Sequence, residues 1–120
     1  ETAPRDTSTP ARALIGRWKD QKVWGWREYF TADNRFFITV NRDVFYRGSY
    51  DILVQDGNER SLKLFMEGSG TSAGARMFLQ GTFSADFSAF SGTLSQSSGG
   101  GRFSEPSPVS WEYLDGVQEP

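Results

Sequence analysis

The chain of 120 residues contains no cysteine and no histidine. Without cysteine, it has no disulfide framework, no thiol nucleophile and no thiolate ligands for structural zinc. Without histidine, it lacks the usual general base, the Ser-His-Asp type of triad and the commonest ligand of transition metals. We therefore expect a protein that binds rather than catalyses, with no metal and no cofactor.

Long apolar runs and a strong net charge are missing as well. No stretch approaches the roughly 20 apolar residues of a membrane-spanning helix, so no membrane span is predicted. The 13 Lys and Arg residues nearly balance the 15 Asp and Glu residues, for a net charge of −2. A field this weak argues against nucleic acid as a partner. Cations concentrate in residues 12–27 and acids in residues 104–120, which predicts either two complementary regions lying close together or a field that steers a partner.

Aromatic residues are plentiful, and apolar residues alternate with polar ones in several stretches. Such a period of two is typical of strands with one buried face. Residues 36–40, 62–66, 75–83 and 109–113 alternate in this way. The clearest stretch is 44–54, whose apolar face is predicted to hold Val44, Tyr46, Gly48, Tyr50, Ile52 and Val54.

Short polar segments with turn-forming residues separate these stretches, among them Asn41-Arg42-Asp43 and Asp56-Gly57. About eight strands with short connections indicate an all-β fold, an antiparallel up-and-down barrel, because closure protects the edges of a sheet. A β-sandwich is the alternative. We predict a flexible leader at 1–12, a single barrel domain at 13–114 and a flexible tail at 115–120. The connection from Ser95 to Pro108, which contains Gly99-Gly100-Gly101, is predicted to be mobile.

The segment Leu14-Ile15-Gly16-Arg17-Trp18 resembles the Gly-x-Trp signature on the first strand of calycins, the superfamily of lipocalins, fatty-acid-binding proteins and avidins. Gly48-Ser49-Tyr50 and the segment from Phe83-Ser84 to Phe90-Ser91-Gly92 are similar to avidin-type hairpins. The resemblance implies a barrel in which this Trp packs across one end, usually against an Arg of the last strand. Here the last strand has no such Arg. Asp20 and Trp24 stand where avidins have Asn and Ser ligands, so biotin is not an expected ligand.

The candidate site residues come from two aromatic segments. In the run from Arg17 to Arg27, Trp18 is expected in the core, whereas the neighbouring tryptophans belong to the core or contact a ligand. The tyrosine hydroxyls of the central strand need partners, either structural ones or a ligand. Arg27 or Arg47 is expected to orient an acidic group of the ligand. The predicted ligand-binding residues are Trp24, Trp26, Arg27, Tyr46, Arg47 and Tyr50, and no catalytic residue is predicted.

The sequence thus predicts a non-enzymatic protein that holds a small apolar or aromatic ligand in a β-barrel. The alternative is a protein-partner-binding or structural domain, an enzyme inhibitor or an assembly subunit, with the barrel filled by its own side chains, because ten Phe residues can fill a small barrel. Since the chain opens at Glu1 rather than Met, we expect an upstream segment to be removed and the protein to be exported or imported into an organelle.

Overall fold

The computed structural model describes residues 5–97 and 101–120, which form a closed antiparallel barrel. Eight strands of the described chain follow one another around the barrel in sequence order, and the last pairs with the first. The predicted up-and-down barrel is confirmed, and closure of the sheet excludes the sandwich. The strands are β1 (Gly16–Asp20), β2 (Trp26–Phe30), β3 (Arg35–Val40), β4 (Asp43–Asp56), β5 (Ser61–Gly68), β6 (Arg76–Phe83), β7 (Ala89–Ser97) and β8 (Ser107–Asp115).

Alternation along the strands separates a barrel interior from an outer face. In β5, for example, Leu62, Leu64 and Met66 are buried while Lys63 and Glu67 are exposed. Each such side chain contributes about 1.5–3 kcal/mol when it is fully buried. The barrel interior is filled by large side chains of this kind, including Trp18, Phe30, Phe36, Leu79, Phe83, Phe90 and Trp111.

The interior face of β4 is shorter than the alternation predicts. Tyr46, Gly48, Tyr50 and Ile52 follow the expected face, but Val44 is 37 % and Val54 57 % exposed. The pairing of β4 with β5 shifts register between Ile52 and Val54, and an irregularity of this kind moves later side chains to the other face.

One end of the barrel is covered by a short helix, α1 (Pro10–Leu14), and we call it the closed end. The hydroxyl of Thr9 accepts a hydrogen bond from Arg12 N and begins the helix. Leu14 is fully buried, and its carbonyl accepts a hydrogen bond from the Trp18 indole at 2.8 Å. Neither α1 nor the short 3-10 turn at Gly70–Ser72, the helices of the described chain, is long and apolar enough to cross a membrane.

Arg5 also belongs to the closed end. Its guanidinium lies 3.8 Å from the ring centroid of Tyr113 and 5.3 Å from that of Trp18, and it donates hydrogen bonds to the carbonyls of Phe87 and Ala13. Trp18 therefore packs across one end of the barrel, and its cation comes from upstream of β1. Part of the predicted leader contacts the barrel, through Arg5 and Ala11, whereas residues 1–4 of that leader and 98–100 of the predicted mobile connection are outside the described residues.

Candidate ligand-binding site

The opposite end, which we call the open end, carries a cavity of about 290 Å³ between the start of β4 and the paired ends of β6 and β7. Two of its lining residues, Tyr46 and Met77, belong to the interior faces of their strands. Its polar lining includes a guanidinium and an amide, so the cavity offers both apolar surface and hydrogen-bonding groups. The lining residues are Tyr46, Ala75, Arg76, Met77, Gln96 and Ser97.

An aromatic group stands beside this cavity. Phe45 and Tyr46 meet edge to face with ring centroids 4.8 Å apart, and Trp26 lies 6.0 Å from Phe45. Phe45 is 57 % exposed, and Trp26 and Tyr46 are half-buried. We call these three residues the rim cluster. Contiguous exposed aromatic surface is uncommon unless it contacts a ligand or a partner.

Arg76 is a cation fixed at the edge of the cavity. Its Nη2 donates to the carbonyl of Gly101 at 3.1 Å and approaches the hydroxyl of Ser97 at 3.4 Å, and its guanidinium lies 5.1 Å from the ring of Phe103. Its Nε is buried without a hydrogen-bond partner in the described chain. A buried donor left unsatisfied is costly, so a ligand oxygen that accepted from it would bind favourably.

Glu28 is a buried acid on the interior face of β2. Its side chain is 2 % exposed, and Oε1 has no hydrogen-bond partner among residues 5–97 and 101–120. Burial raises the pKa of Glu28 well above its ordinary value, the negative charge of Asp20 raises it further, and Arg27 opposes the shift. Burial therefore favours the protonated form of Glu28, which can both donate and accept hydrogen bonds.

Strand register relates Glu28 to the cavity. Glu28 pairs with Ile38, and Ile38 pairs with Tyr46, so the three residues form one row across β2, β3 and β4. Since neighbouring strands are about 4.8 Å apart, the Cα atoms of Glu28 and Tyr46 are separated by roughly 10 Å. The neutral acid thus lies on the interior wall two strands away from the cavity lining.

Three of the predicted site residues have side chains on the interior face. Trp26 and Tyr46 belong to the rim cluster. Tyr50 lies in the core, where it packs edge to face on Phe30 and donates its hydroxyl to the carbonyl of Thr31 at 2.9 Å. Burial raises the pKa of Tyr50 to about 12. The hydroxyl of Tyr50 therefore has a structural partner.

The other three lie on the outside of the barrel. Arg27 and Arg47 belong to the outer faces of β2 and β4, and Arg27 donates to the carbonyl of Trp26 at 2.9 Å. Trp24 is 88 % exposed in the turn before β2. Trp24 and Trp26 stand two positions apart, as side chains on one face of a strand do, but the Asp20 carboxylate accepts from the backbone N–H groups of residues 22 and 23 and forms a turn before β2. The six residues therefore do not line one cavity.

Sequence analysis did not predict Glu28 or Arg76, and only Glu28 had a sequence pattern that could have revealed it. Glu28 falls between Trp26 and Phe30 in the alternation, so the pattern already placed a carboxyl on the interior face. Arg76 carried no such signal, because its place beside the cavity depends on the connection that follows β7. In the described part of the chain, no group of three or more acidic side chains comes together that could hold a metal ion.

Comparison of the sequence with known protein families, with curated proteins and with solved structures finds no match. The closed eight-stranded antiparallel barrel is compatible with a calycin-like fold. Any functional argument must therefore start from the geometry of the site itself.

Proposed function

We propose that the protein is a non-enzymatic binding protein that holds a small apolar or aromatic ligand with an acidic group at the open end of its barrel. The observation that carries the proposal is the rim cluster standing beside a cavity whose edge holds the unsatisfied Nε of Arg76. In this proposal Arg76 takes the role that the sequence assigned to Arg27 or Arg47.

The energetics suit a small ligand. A cavity of about 290 Å³ lies near the lower end of the size range of small-molecule sites. Apolar surface buried against Trp26, Tyr46 and Met77 would contribute about 25 cal/mol per Å². A carboxylate accepting from Arg76 would add about 1.5–3 kcal/mol as a hydrogen bond to a charged group. Binding at the open mouth of such a barrel also accords with the resemblance to calycins.

Tryptophan fluorescence tests the proposal. Because Trp24 is exposed and does not line the cavity, a Trp24→Phe background removes its signal and leaves the half-buried Trp26 as the reporter in the rim cluster. Titrating fatty acids, retinoids, haem, bilins and a matched pair of naphthoate and naphthalenemethanol should give quenching or a spectral shift, with naphthoate preferred over the alcohol.

Variants locate the site. Arg76→Gln should weaken naphthoate binding about tenfold and leave the alcohol unchanged, because it removes one charge-assisted hydrogen bond. Lys63→Gln, on the exposed outer face of β5, is the matched control for loss of a positive charge. A flat response across the panel, or equal losses in the two variants, would refute the proposal.

The packed interior supports a second candidate, a partner-binding or structural domain with a self-filled barrel. Phe83 and Phe90 meet at 4.9 Å and Trp111 stacks on Phe90 at 5.5 Å, so large side chains occupy the middle of the barrel. In that case the rim cluster would contact a protein. A flat ligand panel together with a native partner lost on Phe45→Ser would favour this candidate.

A further inference from the structure

A second concave site lies on the outer face of the barrel, where β1, β2 and β3 meet the turns of the open end. It is a groove of about 350 Å³. We call it the basic groove, and it is separate from the proposed ligand site because its strand residues face outward. Its lining residues are Arg17, Trp24, Gly25, Arg27, Tyr29, Thr39, Asn41 and Arg42.

Positive charge gathers in this groove at an electrostatic cost. Arg27 lies directly opposite Lys19 in the pairing of β1 with β2, and like charges in such a pair destabilise a sheet. Glu112 of β8 lies opposite Lys19 on its other side and offsets part of this cost. Within residues 5–97 and 101–120, the ion pairs do not include Arg27 or Arg42. Arg17 is paired with Asp115, which fixes its guanidinium in place. An anion would relieve this repulsion.

The turn that supplies Arg42 is strained. Asn41 and Arg42 form the two-residue hairpin between β3 and β4 with φ of 51° and 77°. The second position of this turn favours glycine, so an arginine there adopts a conformation that side chains disfavour. Strain of this kind collects at functional sites. Here it places a cation beside the groove.

Two contacts join this turn to the one that carries Trp24. Asn41 N donates to the carbonyl of Gly25 at 3.0 Å. Gly25 has a φ of 86°, and a Cβ atom at that position would lie 2.5 Å from Asn41 Oδ1, so glycine permits the close approach. The exposed indole of Trp24 is thus held on a defined turn next to Arg42, rather than on a loose loop.

We propose that the basic groove binds an anionic saccharide, a sugar unit that carries a carboxylate or a sulfate. The exposed indole offers a flat surface for the apolar face of a sugar ring, and guanidinium groups match the geometry of the acidic group. Asn41 adds an exposed amide, which suits the hydroxyl groups of a sugar. Tyr29 and Thr39 form the buried floor of the groove. Two unpaired arginines are too few for the many phosphate contacts that hold a nucleic acid.

Calorimetric titration at low ionic strength tests the groove with digalacturonate, a sulfated disaccharide, uncharged cellobiose and AMP. The two acidic sugars separate carboxylate from sulfate as the recognised group. We expect at least one of them to bind, cellobiose to bind about tenfold more weakly or less, and affinity to fall as salt is raised. Arg27→Gln should weaken the acidic sugar about tenfold, and Trp24→Ala about fivefold.

Arg47→Gln is the matched control, because it removes one exposed positive charge from the outer face of β4 outside the groove. Circular dichroism confirms that each variant is folded. Binding of neither acidic sugar, equal binding of cellobiose, or an equal loss in Arg47→Gln would overturn the proposal. Tighter binding of AMP with the same dependence on Arg27 and Trp24 would assign the groove to nucleotides and overturn the saccharide assignment.

Discussion

Aromatic side chains at the two ends of the barrel differ in how they are covered. At the closed end Trp18 is fully buried between Phe83 and Tyr113, and α1 packs nearby. At the open end Phe45 packs on Tyr46 yet stays more than half exposed. The closed-end rings therefore stabilise the fold, whereas the open-end rings leave apolar surface that a ligand could cover.

The arginines of the two ends extend this comparison. Arg5 and Arg76 each have a buried Nε without a partner in the described chain. Arg5, however, lies over the ring of Tyr113 and uses both terminal nitrogens on backbone carbonyls, whereas Arg76 lines a cavity. An unsatisfied donor points to a ligand only where space for that ligand exists beside it.

The largest expected effect is a difference in the free energy of unfolding between substitutions at the two ends of the barrel. Trp18→Ala should lower the free energy of unfolding by about 3–5 kcal/mol, because it leaves a cavity in a packed region and removes the indole hydrogen bond to Leu14. Trp26→Ala should cost less than about 1.5 kcal/mol, since Trp26 is only half-buried. Denaturation in guanidinium chloride measures both, and equal losses would contradict the distinction between the ends.

A neutral carboxyl in the barrel predicts a dependence of stability on pH. Burial raises the pKa of Glu28 in the folded state above the value of about 4.3 in the unfolded chain. The folded protein therefore holds this proton more tightly, so the stability that Glu28 contributes is fully present below that value and is lost as pH rises through the folded pKa.

The Glu28→Gln substitution keeps the shape of the side chain and removes its ionisable carboxyl group. We expect this variant to match the parent near pH 4 and to be more stable at about pH 8, by about 1–3 kcal/mol, the cost of a buried group that must ionise unpaired. Urea denaturation at several pH values measures the difference. Asp51→Asn, an exposed acid on the outer face of β4, is the control and should show no such divergence. If the stability of Glu28→Gln changed with pH in parallel with that of the parent, the raised pKa of Glu28 would be contradicted.

A smaller effect distinguishes Arg5 from Arg76, two half-buried arginines. Arg5→Ala should cost about 1–2 kcal/mol of stability, because it removes two backbone hydrogen bonds and the contact with the Tyr113 ring. Arg76→Ala should cost less than about 1 kcal/mol, since its hydrogen bonds are longer and its neighbours more exposed. Thermal unfolding compares the two, and a reversed order would contradict the structural role of Arg5.

The strands, and from them the barrel, were predictable from the sequence. An alternation with a period of two is visible within each stretch, without knowing which strands lie next to each other. The turn at Asn41-Arg42 was predictable for the same reason, as its signal is local. The irregular pairing that exposes Val54 was not, because it depends on how β5 aligns with β4. The placement of residues 5–14 was missed as well, since a short helix with weak periodicity becomes stable only when it packs on the barrel.

The candidate site was predictable only in part. Trp26 and Tyr46 were found because both fall on apolar faces, and those faces meet at the open end. Arg76 could not be found, because β6 pairs it with Ser97 and the segment that resumes at Gly101 supplies its other contact. Trp24 and Arg27 were chosen for their chemistry, yet they lie together in the basic groove on the outside.

The smallest expected change in stability concerns Phe45, and it tests whether the open end is functional. Phe45→Ser should alter the free energy of unfolding by less than about 1 kcal/mol, because the ring is largely exposed. The same change should weaken naphthoate binding several-fold, since it removes one aromatic face of the rim cluster. Phe37→Ser, a half-buried ring on the outer face of β3, is the matched control and should leave binding unchanged. If Phe45→Ser instead destabilised the barrel as Trp18→Ala does, the rim cluster would be structural, and the proposed contrast between the two ends would fail.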